Sequence, residues 1–316
     1  MKDTKQKARK FEVMNKGMGD DRLPIEVILD QFQNEGARDY FLLDSGEGRK
    51  LEKVGNFVID RQCAVAFWSK KNNKDWTKVH AYHQRSEKGG GSWDLKAKLP
   101  DFWFTKVGRI IFKTKLTSFG HLGFFVEQAP QWDWFYEKLS STPKEKPLKI
   151  LNLFAYTGAS SIACALGGAQ VTHVDAARGV VDWAKQNAAL NRVPENSIRF
   201  IVEDCKVFLE REAKRGNFYD GIIMDPPSFG RGPNKEVFKI EEDILPLLRA
   251  VKKVLGAECR LFHFSSHSQG FSPEVLKNLA AEILPVDKFT FESGEMLMSE
   301  QGGKQVPSGQ FIRLWR

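Results

Sequence analysis

The sequence predicts a doubly wound α/β sheet that follows a smaller β-rich domain. Two observations point there. From residue 148 onward, short apolar runs alternate with helical periodicity, and the runs 171–175, 199–204 and 220–225 each end in an aspartate. From 40 to 116 the pattern is one of short strands and tight turns, with Trp68, Trp76, Trp93 and Trp103 among them. Open α/β sheets bind ligands in the crevice outside the carboxyl ends of their strands, so acids at those ends mark a site.

The stretch 150–159, Ile-Leu-Asn-Leu-Phe-Ala-Tyr-Thr-Gly-Ala, opens the sheet. Residues 148–154 are short, mostly apolar and bounded by turn residues, as in a strand buried on both faces. Tyr156-Thr157-Gly158 form the turn, 160–166 a helix, and Gly167-Gly168 its end. Such a turn lets a ligand approach the backbone and offers free N–H groups to an anion. Asp175 ends the second strand, where a ribose-binding acid is expected. The turn lacks Gly-x-Gly-x-x-Gly, which argues against a nicotinamide or flavin site. The third strand ends in Asp204, and the fourth in Asp225-Pro226-Pro227-Ser228-Phe229.

Taken in this order, the residues resemble the class I S-adenosylmethionine-dependent methyltransferases. The runs 153–158, Leu-Phe-Ala-Tyr-Thr-Gly, and 225–229, Asp-Pro-Pro-Ser-Phe, look like the subgroup of bacterial 23S ribosomal RNA base methyltransferases. The resemblance covers 118–316 and, more loosely, the β-rich part before it. It implies a Rossmann-like sheet of seven strands, the last one antiparallel, with S-adenosylmethionine as cofactor, ribosomal RNA as partner and no metal. Carried over, Phe154, Ala155, Tyr156 and Gly158 receive the methionine part. Asp175 and Ala176 meet the ribose. Asp204 accepts from the adenine amino group, with the Cys205 N–H close by, although Asp204 also suits a helix N-cap. Phe125 and Gln128, from the run Gly123-Phe124-Phe125-Val126-Glu127-Gln128, contact the methionine end or the sulfonium. Many relatives follow this glutamine with arginine, whereas Ala129 stands here. Asp225, which also borders the cofactor, and the carbonyl after it accept from a base N–H. Pro226 and Pro227 stiffen that loop, and Phe229 stacks on the ring.

Related enzymes that make 5-methylcytosine attack the base with a cysteine. Here 262–268, Phe-His-Phe-Ser-Ser-His-Ser, stands at the fifth strand's end, and Cys259 lies at its start. A nitrogen target is therefore expected, a guanine ring or amino nitrogen for example. His263 and His267 could assist, though histidines near strand ends commonly serve structure. Other classes stay open: a protein or small-molecule N-methyltransferase, because Asp-Pro-Pro is similar to the Asn-Pro-Pro of amide methylators, and a 5-methylcytosine RNA methyltransferase. The strand-end acids disfavour an RNA-binding module with a relic cofactor site.

A chain of 316 residues suggests about two domains. Its 41% hydrophobic and 28% charged content is that of a globular protein. No apolar run approaches the roughly 18 residues of a membrane span. The N-terminus has no apolar core of a secretory signal. Cys63, Cys164, Cys205 and Cys259 are far apart and read as reduced thiols, so a cytoplasmic protein is expected. A net charge of +8 favours an anionic partner such as RNA. The expected parts are a basic tail with a short helix at 23–32 (1–38), the β-rich domain (39–117) and the methyltransferase domain (118–316).

In the β-rich part, 40–48 and 54–59 read as strand, turn, strand, followed by an apolar run at 63–68 and a flexible Gly89-Gly90-Gly91 turn. Residues 102–106 and 109–115 flank a hairpin at Val107-Gly108. Most of the tryptophans read as core, although aromatics among lysines also stack on bases. His80 and His83 make a poor metal pair, with no further ligands nearby. In the later part, helices are expected at 131–139, 180–191, 206–214 and 243–255, and at 272–283 with Ser272 as N-cap and Pro273 at its first position. Strands are expected at 258–264, 289–292 and 311–315, and 294–309 reads as a polar loop over the substrate.

Overall fold

The computed structural model describes residues 40–316 except 72, 87–89, 144 and 232–236. The basic tail, the helix at 23–32 and Gly89 lie outside the described residues. The chain forms two compact units: Met1–Phe125 with Ser299–Val306, and Val126–Met298 with Pro307–Arg316.

The first unit holds β1 (Tyr40–Gly46), β2 (Arg49–Val54), β3 (Phe57–Gln62), β4 (Ala81–Arg85) and β5 (Gly91–Leu95) in one sheet, in that order. All neighbours are antiparallel except β3 and β4. A one-turn helix, α1 (Asn73–Trp76), precedes β4, and β6 (Trp103–Val107) pairs with β7 (Ile110–Thr114) as the expected hairpin. Strand β2 is hidden in the sequence because Arg-Lys-Leu-Glu-Lys-Val reads as a polar turn. Its Glu52 is fully buried and neutralised across the sheet. The apolar run at 63–68 forms no strand, and its Phe67 is exposed. Gly91 belongs to β5, not to a loop. Of the four tryptophans described in this unit, Trp103 alone is buried. Trp68, Trp76 and Trp93 stay half-buried, because their indole N–H groups reach the Ser45 carbonyl, Asp44 and the Thr117 carbonyl.

The second unit begins with α2 (Ala129–Ser140) and then alternates strand and helix. In chain order these are β8 (Lys149–Leu153), α3 (Ala159–Leu166), β9 (Gln170–Asp175), α4 (Arg178–Leu190), β10 (Ile198–Val202), α5 (Cys205–Arg215) and β11 (Gly221–Met224). A small ribbon, β12 (Phe229–Arg231) with β13 (Val237–Lys239), leads to α6 (Ile240–Lys252), β14 (Leu261–Ser266) and α7 (Pro273–Ala281). The hairpin β15 (Thr290–Ser299) and β16 (Gln305–Trp315) ends the chain. The sheet order is β10-β9-β8-β11-β14-β16-β15. Its pairs are parallel from β10 to β14, and β16 runs antiparallel to β14. This is the doubly wound sheet that the sequence predicts. The strand order reverses between β8 and β11, which opens a crevice at their carboxyl ends.

Two expectations fail here. Residues 294–309 are not a covering loop: they form most of a long hairpin, with only 300–304 left as its turn. Within 294–309, Met296, Met298, Val306 and the polar Glu300 are buried, and the rest is half-buried or exposed, as on a half-exposed edge. Helix α6 starts at Ile240, three residues before the expected 243. The Asp243 carboxylate turns back to accept the Lys239 N–H, so the acidic first turn starts the helix rather than preceding it. No described helix is long and apolar enough to cross a membrane, and no cluster of three His, Cys, Asp or Glu side chains among the described residues suits a metal ion.

Glu52 anchors the first sheet. Its carboxylate accepts from Arg61 Nε and Nη2, both at 2.6 Å, and from the Tyr40 hydroxyl at 2.8 Å, with Lys50 Nζ at 3.3 Å. Burial opposes the charge, but Arg61 and Lys50 outweigh it and hold the carboxyl down to about 2. Removing one partner strands a buried charge, so Arg61→Met should cost about 3–5 kcal/mol of stability. Adding Glu52→Gln should recover part of that. Because the folded carboxyl lies below its unfolded value, its contribution is complete above about pH 4.5 and disappears as pH falls toward 2. Denaturant midpoints by tryptophan fluorescence at pH 7, 4 and 2.5 check both statements. An unshifted midpoint in Arg61→Met would refute the anchoring role.

Candidate active site

The turn after β8 is the tightest part of the second unit. Phe154 has φ 54°, Tyr156 φ 49° and Gly158 φ 93°. Left-handed backbone disfavours side chains, so other groups must hold the first two residues there. Asp175 Oδ2 accepts the Tyr156 N–H at 2.9 Å, and the Ala155 N–H bonds the Val174 carbonyl at 3.0 Å. From α4, Asn187 Nδ2 donates to the Thr157 carbonyl at 3.0 Å. Gly158 packs against the same helix: a Cβ there would lie 3.1 Å from the Ala184 Cβ. Beneath the turn, Asn152 Nδ2 donates to Ser161 Oγ at 2.9 Å, and that hydroxyl shares a hydrogen bond with His173 Nδ1 at 3.0 Å. Burial keeps His173 neutral, its value pushed down to about 3.

Asp175 therefore holds the turn through Oδ2, and its Oδ1 accepts the Ala177 N–H at 3.0 Å, with Ala176 between them. Burial raises its carboxyl above the ordinary range, against the pull of those N–H groups. Asp204 caps α5: its Oδ1 takes the Lys206 and Val207 N–H groups at 2.9 and 3.1 Å. Both bonds use one oxygen, so Oδ2 is left to accept from a ligand. Cys205 is buried beside it as the first residue of α5. The Phe154 ring packs on Phe238 at 5.2 Å, and Tyr156 faces Trp183 at 6.5 Å.

Asp225 lies just beyond β11. Gln128 Nε2 donates to its Oδ2 at 3.1 Å, and the Ser265 hydroxyl donates to its Oδ1 at 2.8 Å. Gln128 also donates to Ser265 Oγ at 3.0 Å, which ties the three together. His267 Nε2 stands 3.7 Å from Asp225 Oδ2. Burial opposes the charge on Asp225, but His267 and the Ser265 hydroxyl outweigh it and hold the carboxyl below its ordinary value. Buried Pro226 and exposed Pro227 follow, then Ser228, whose hydroxyl meets that of Ser268 at 2.7 Å. Phe229 opens β12 and is 54% exposed.

The structure thus joins Gln128 to Asp225 and joins Asp175 to the turn at Phe154, Ala155, Tyr156 and Gly158. Phe125 lies in the first unit, its ring edge-on to His121 at 5.1 Å. All four cysteines are free and buried. Burial raises their thiols, that of Cys259 to about 11. Asn187, Ser265, Glu127 and Ser308 also contribute, and sequence reading gives them no role. Glu127 is buried and accepts the Ser308 hydroxyl at 2.9 Å. Glu127 stands inside the run ending at Gln128 and Ser265 inside the run 262–268, whereas Asn187 and Ser308 belong to no motif.

A family model for S-adenosylmethionine-dependent methyltransferases matches residues 59–290. Among solved structures, the S-adenosylmethionine-dependent methyltransferase from Agrobacterium tumefaciens is 32% identical, with a TM-score of 0.82 over 89% of this chain and 91% of that one. A methyltransferase from Streptococcus mutans shares the fold at 17% identity and a TM-score of 0.69, over 92% of this chain and 79% of that one. Among curated proteins, the ribosomal RNA large subunit methyltransferase K/L of Pseudoalteromonas atlantica is 38% identical over 186 residues, 56% of this chain and 25% of that protein. Its counterpart in Pseudoalteromonas translucida is 34% identical over 162 residues, 51% of this chain and 22% of that protein. The chain spans about a quarter of the length of these curated relatives. Because the match runs from the β-rich unit through the doubly wound sheet, the chain belongs to the S-adenosylmethionine-dependent methyltransferase family.

Proposed function

We propose that this methyltransferase acts on a nitrogen of an RNA base, with ribosomal RNA as the substrate class. One observation carries the reading: an ionised Asp225, aimed by Gln128 and Ser265, stands four residues before the exposed ring of Phe229. A fixed acceptor suits a base N–H, and an exposed aromatic suits a base face. The K/L relatives are named for ribosomal RNA, and the net charge of +8 suits phosphates. A 5-methylcytosine mechanism needs a reactive thiolate, whereas the four thiols are buried with raised values.

The residues present fit the cofactor. S-adenosylmethionine supplies an electrophilic methyl group on a sulfonium. Gly158 and the turn at Phe154, Ala155 and Tyr156 would take its methionine part. Asp175, with Ala176, would accept the ribose hydroxyls. Asp204 Oδ2 would accept the adenine amino group, beside the Cys205 N–H. Gln128 would border the sulfonium from its seat on Asp225. Asp225 and the following carbonyl would orient the target nitrogen, Pro226 and Pro227 would keep that carbonyl fixed, and Phe229 would stack on the base. Orientation of this kind is expressed mainly in the transition state.

Gly158→Ala and Gly168→Ala both place a side chain at positive φ, but only position 158 meets a neighbour within 4 Å. Calorimetry should therefore show weaker S-adenosylmethionine binding in Gly158→Ala than in Gly168→Ala. Equal losses would remove the turn from the cofactor site. Asp175→Ala should weaken the same binding by about 1–3 kcal/mol.

Asp225→Ala should lower turnover far more than cofactor affinity. Phe229→Ala should weaken substrate binding by about 1–3 kcal/mol, and Phe229→Trp should retain part of it. An unchanged kcat in a folded Asp225→Ala protein would contradict the orienting role.

Transfer of a radiolabelled methyl group to ribosomal RNA stripped of protein, to protein or to neither tests the substrate class. RNA labelling is expected, with RNA affinity falling steeply between low and physiological salt. Label on protein alone, or a flat salt dependence, would exclude RNA. A covalent adduct with 5-fluorocytosine RNA would return the 5-methylcytosine reading.

A further inference from the structure

His267 follows β14 directly and faces Oδ2 of Asp225, whereas Ser265 bonds Oδ1. Its Nδ1 lies 2.5 Å from the Ser308 carbonyl, which can only accept, so Nδ1 carries a proton. Its Nε2 lies 3.7 Å from Asp225 Oδ2, an ionised carboxylate that also only accepts. Glu127 Oε1 stands 3.9 Å from Nδ1, so two carboxylates face one ring. A ring with protons on both nitrogens is an imidazolium.

The surroundings build a seat for that ring. Ser308 supplies the carbonyl, and its hydroxyl donates to Glu127 Oε1 at 2.9 Å, which fixes the second carboxylate. Gly309 has φ 144°, and a Cβ on it would lie 3.0 Å from His267 Nδ1, 2.9 Å from the Ser266 carbonyl and 2.6 Å from Met296 Cε. Any side chain at 309 would crowd the ring. The ionisable groups packed around the pair are Asp225 beyond β11, Glu127 before α2 and His263 within β14. Burial holds His263 neutral, down to about 3, so it adds no competing cation. Partial desolvation also opposes the charge on His267, whose side chain is 33% exposed, but Asp225 and Glu127 outweigh it and raise its value to about 9.

We propose that His267 is a positioning residue for methyl transfer: seated as an imidazolium on Ser308 and Glu127, it holds the Asp225 carboxylate as an oriented anion that accepts an N–H of the target. This rests on Asp225 being the group that orients the substrate. It narrows the target to a nitrogen bearing a hydrogen, because an anionic acceptor repels a bare lone pair. The nitrogen's lone pair forms the bond to the methyl carbon as the carbon–sulfur bond breaks, and that bond's electron pair stays on sulfur. The proton held toward Asp225 then leaves to water, and the His267–Asp225 pair is unchanged.

The pH dependence has a defined sign. Asp225 stays ionised through the neutral range, because its carboxyl lies below its ordinary value. His267 lies above its ordinary value, so its hold on Asp225 is complete at neutral pH and is lost as pH rises through about 9. Turnover should fall there while cofactor affinity does not.

The test uses the full chain labelled with 15N-histidine. His267, assigned by its absence in His267→Asn, should titrate near pH 9 by NMR. His267→Asn should lower kcat by about 10- to 100-fold and lose the alkaline limb, with S-adenosylmethionine affinity within about twofold of the parent. His267→Lys keeps a cation and should retain part of kcat. Gly309→Ala should lower kcat and draw the His267 titration down toward 6.5. The proposal is overturned if His267 titrates at or below 6.5 in the parent, or if folded His267→Asn keeps the parental kcat and alkaline limb. Should His267→Asn fail to fold, the parent's titration and Gly309→Ala still decide. The titration and cofactor affinity need no RNA, so failure to label RNA would count against the substrate class alone.

Discussion

Phe154, Tyr156 and Gly158 hold a left-handed backbone within five residues, and two of the three carry a side chain that resists it. Strain of this kind costs about 1–3 kcal/mol per residue and persists only where neighbours over-determine it. Those neighbours come from the next strand and the next helix. Asp175 at the end of β9 captures the Tyr156 N–H, and Asn187 of α4 captures the Thr157 carbonyl. The turn of the first β–α unit is thus made by the second. The parallel pairing of β8 with β9 puts Val174 and Asp175 within reach, so sheet register and turn geometry depend on each other.

The two carboxylates of the site are tuned in opposite directions by one principle. Asp175 is answered by neutral N–H groups, and burial wins, raising its carboxyl. Asp225 is half-buried and desolvated too, but His267 supplies charge as well as a donor, and the carboxyl falls. In the proposed roles, Asp175 would bind hydroxyls and need only acceptor geometry, whereas Asp225 would stay anionic beside a reacting nitrogen and need a counter-charge. The two ends of the crevice therefore differ in electrostatics although both present an aspartate at a strand end.

The doubly wound sheet was legible because fully buried parallel strands read as short apolar runs, and an aspartate ending such a run has few alternative explanations. Strand β2 and the middle of the hairpin β15–β16, residues 294–309, were not. Glu52 breaks the apolar pattern of β2 and is tolerated only because Arg61 neutralises it across the sheet. Residues 294–309 carry too few apolar residues to show an alternation, although the ends of the hairpin, 289–292 and 311–315, read as strands. Within the site, Asp175, Asp204 and Asp225 stood out by position. Asn187, Ser265 and Ser308 act through partners 30, 40 and 181 residues away in the chain, and no local spacing carries that information. His267 was visible as a residue, but its charge comes from Asp225 and Glu127, which only the fold brings to it.

The turn of the β15–β16 hairpin, Ser299–Val306, belongs to the first unit. Leu42 of β1 bridges Glu300, and the Ser45 hydroxyl donates to Glu300 across 255 residues of sequence. The first unit is therefore a discontinuous domain, closed by residues that follow β14 and α7 in the chain. During translation β1 to β7 emerge before them, so Ser45 waits for its acceptor until all the parallel strands of the doubly wound sheet have been made. Cutting the chain after residue 125 would leave that serine without Glu300, so the β-rich unit is not a cassette that transfers intact to another enzyme.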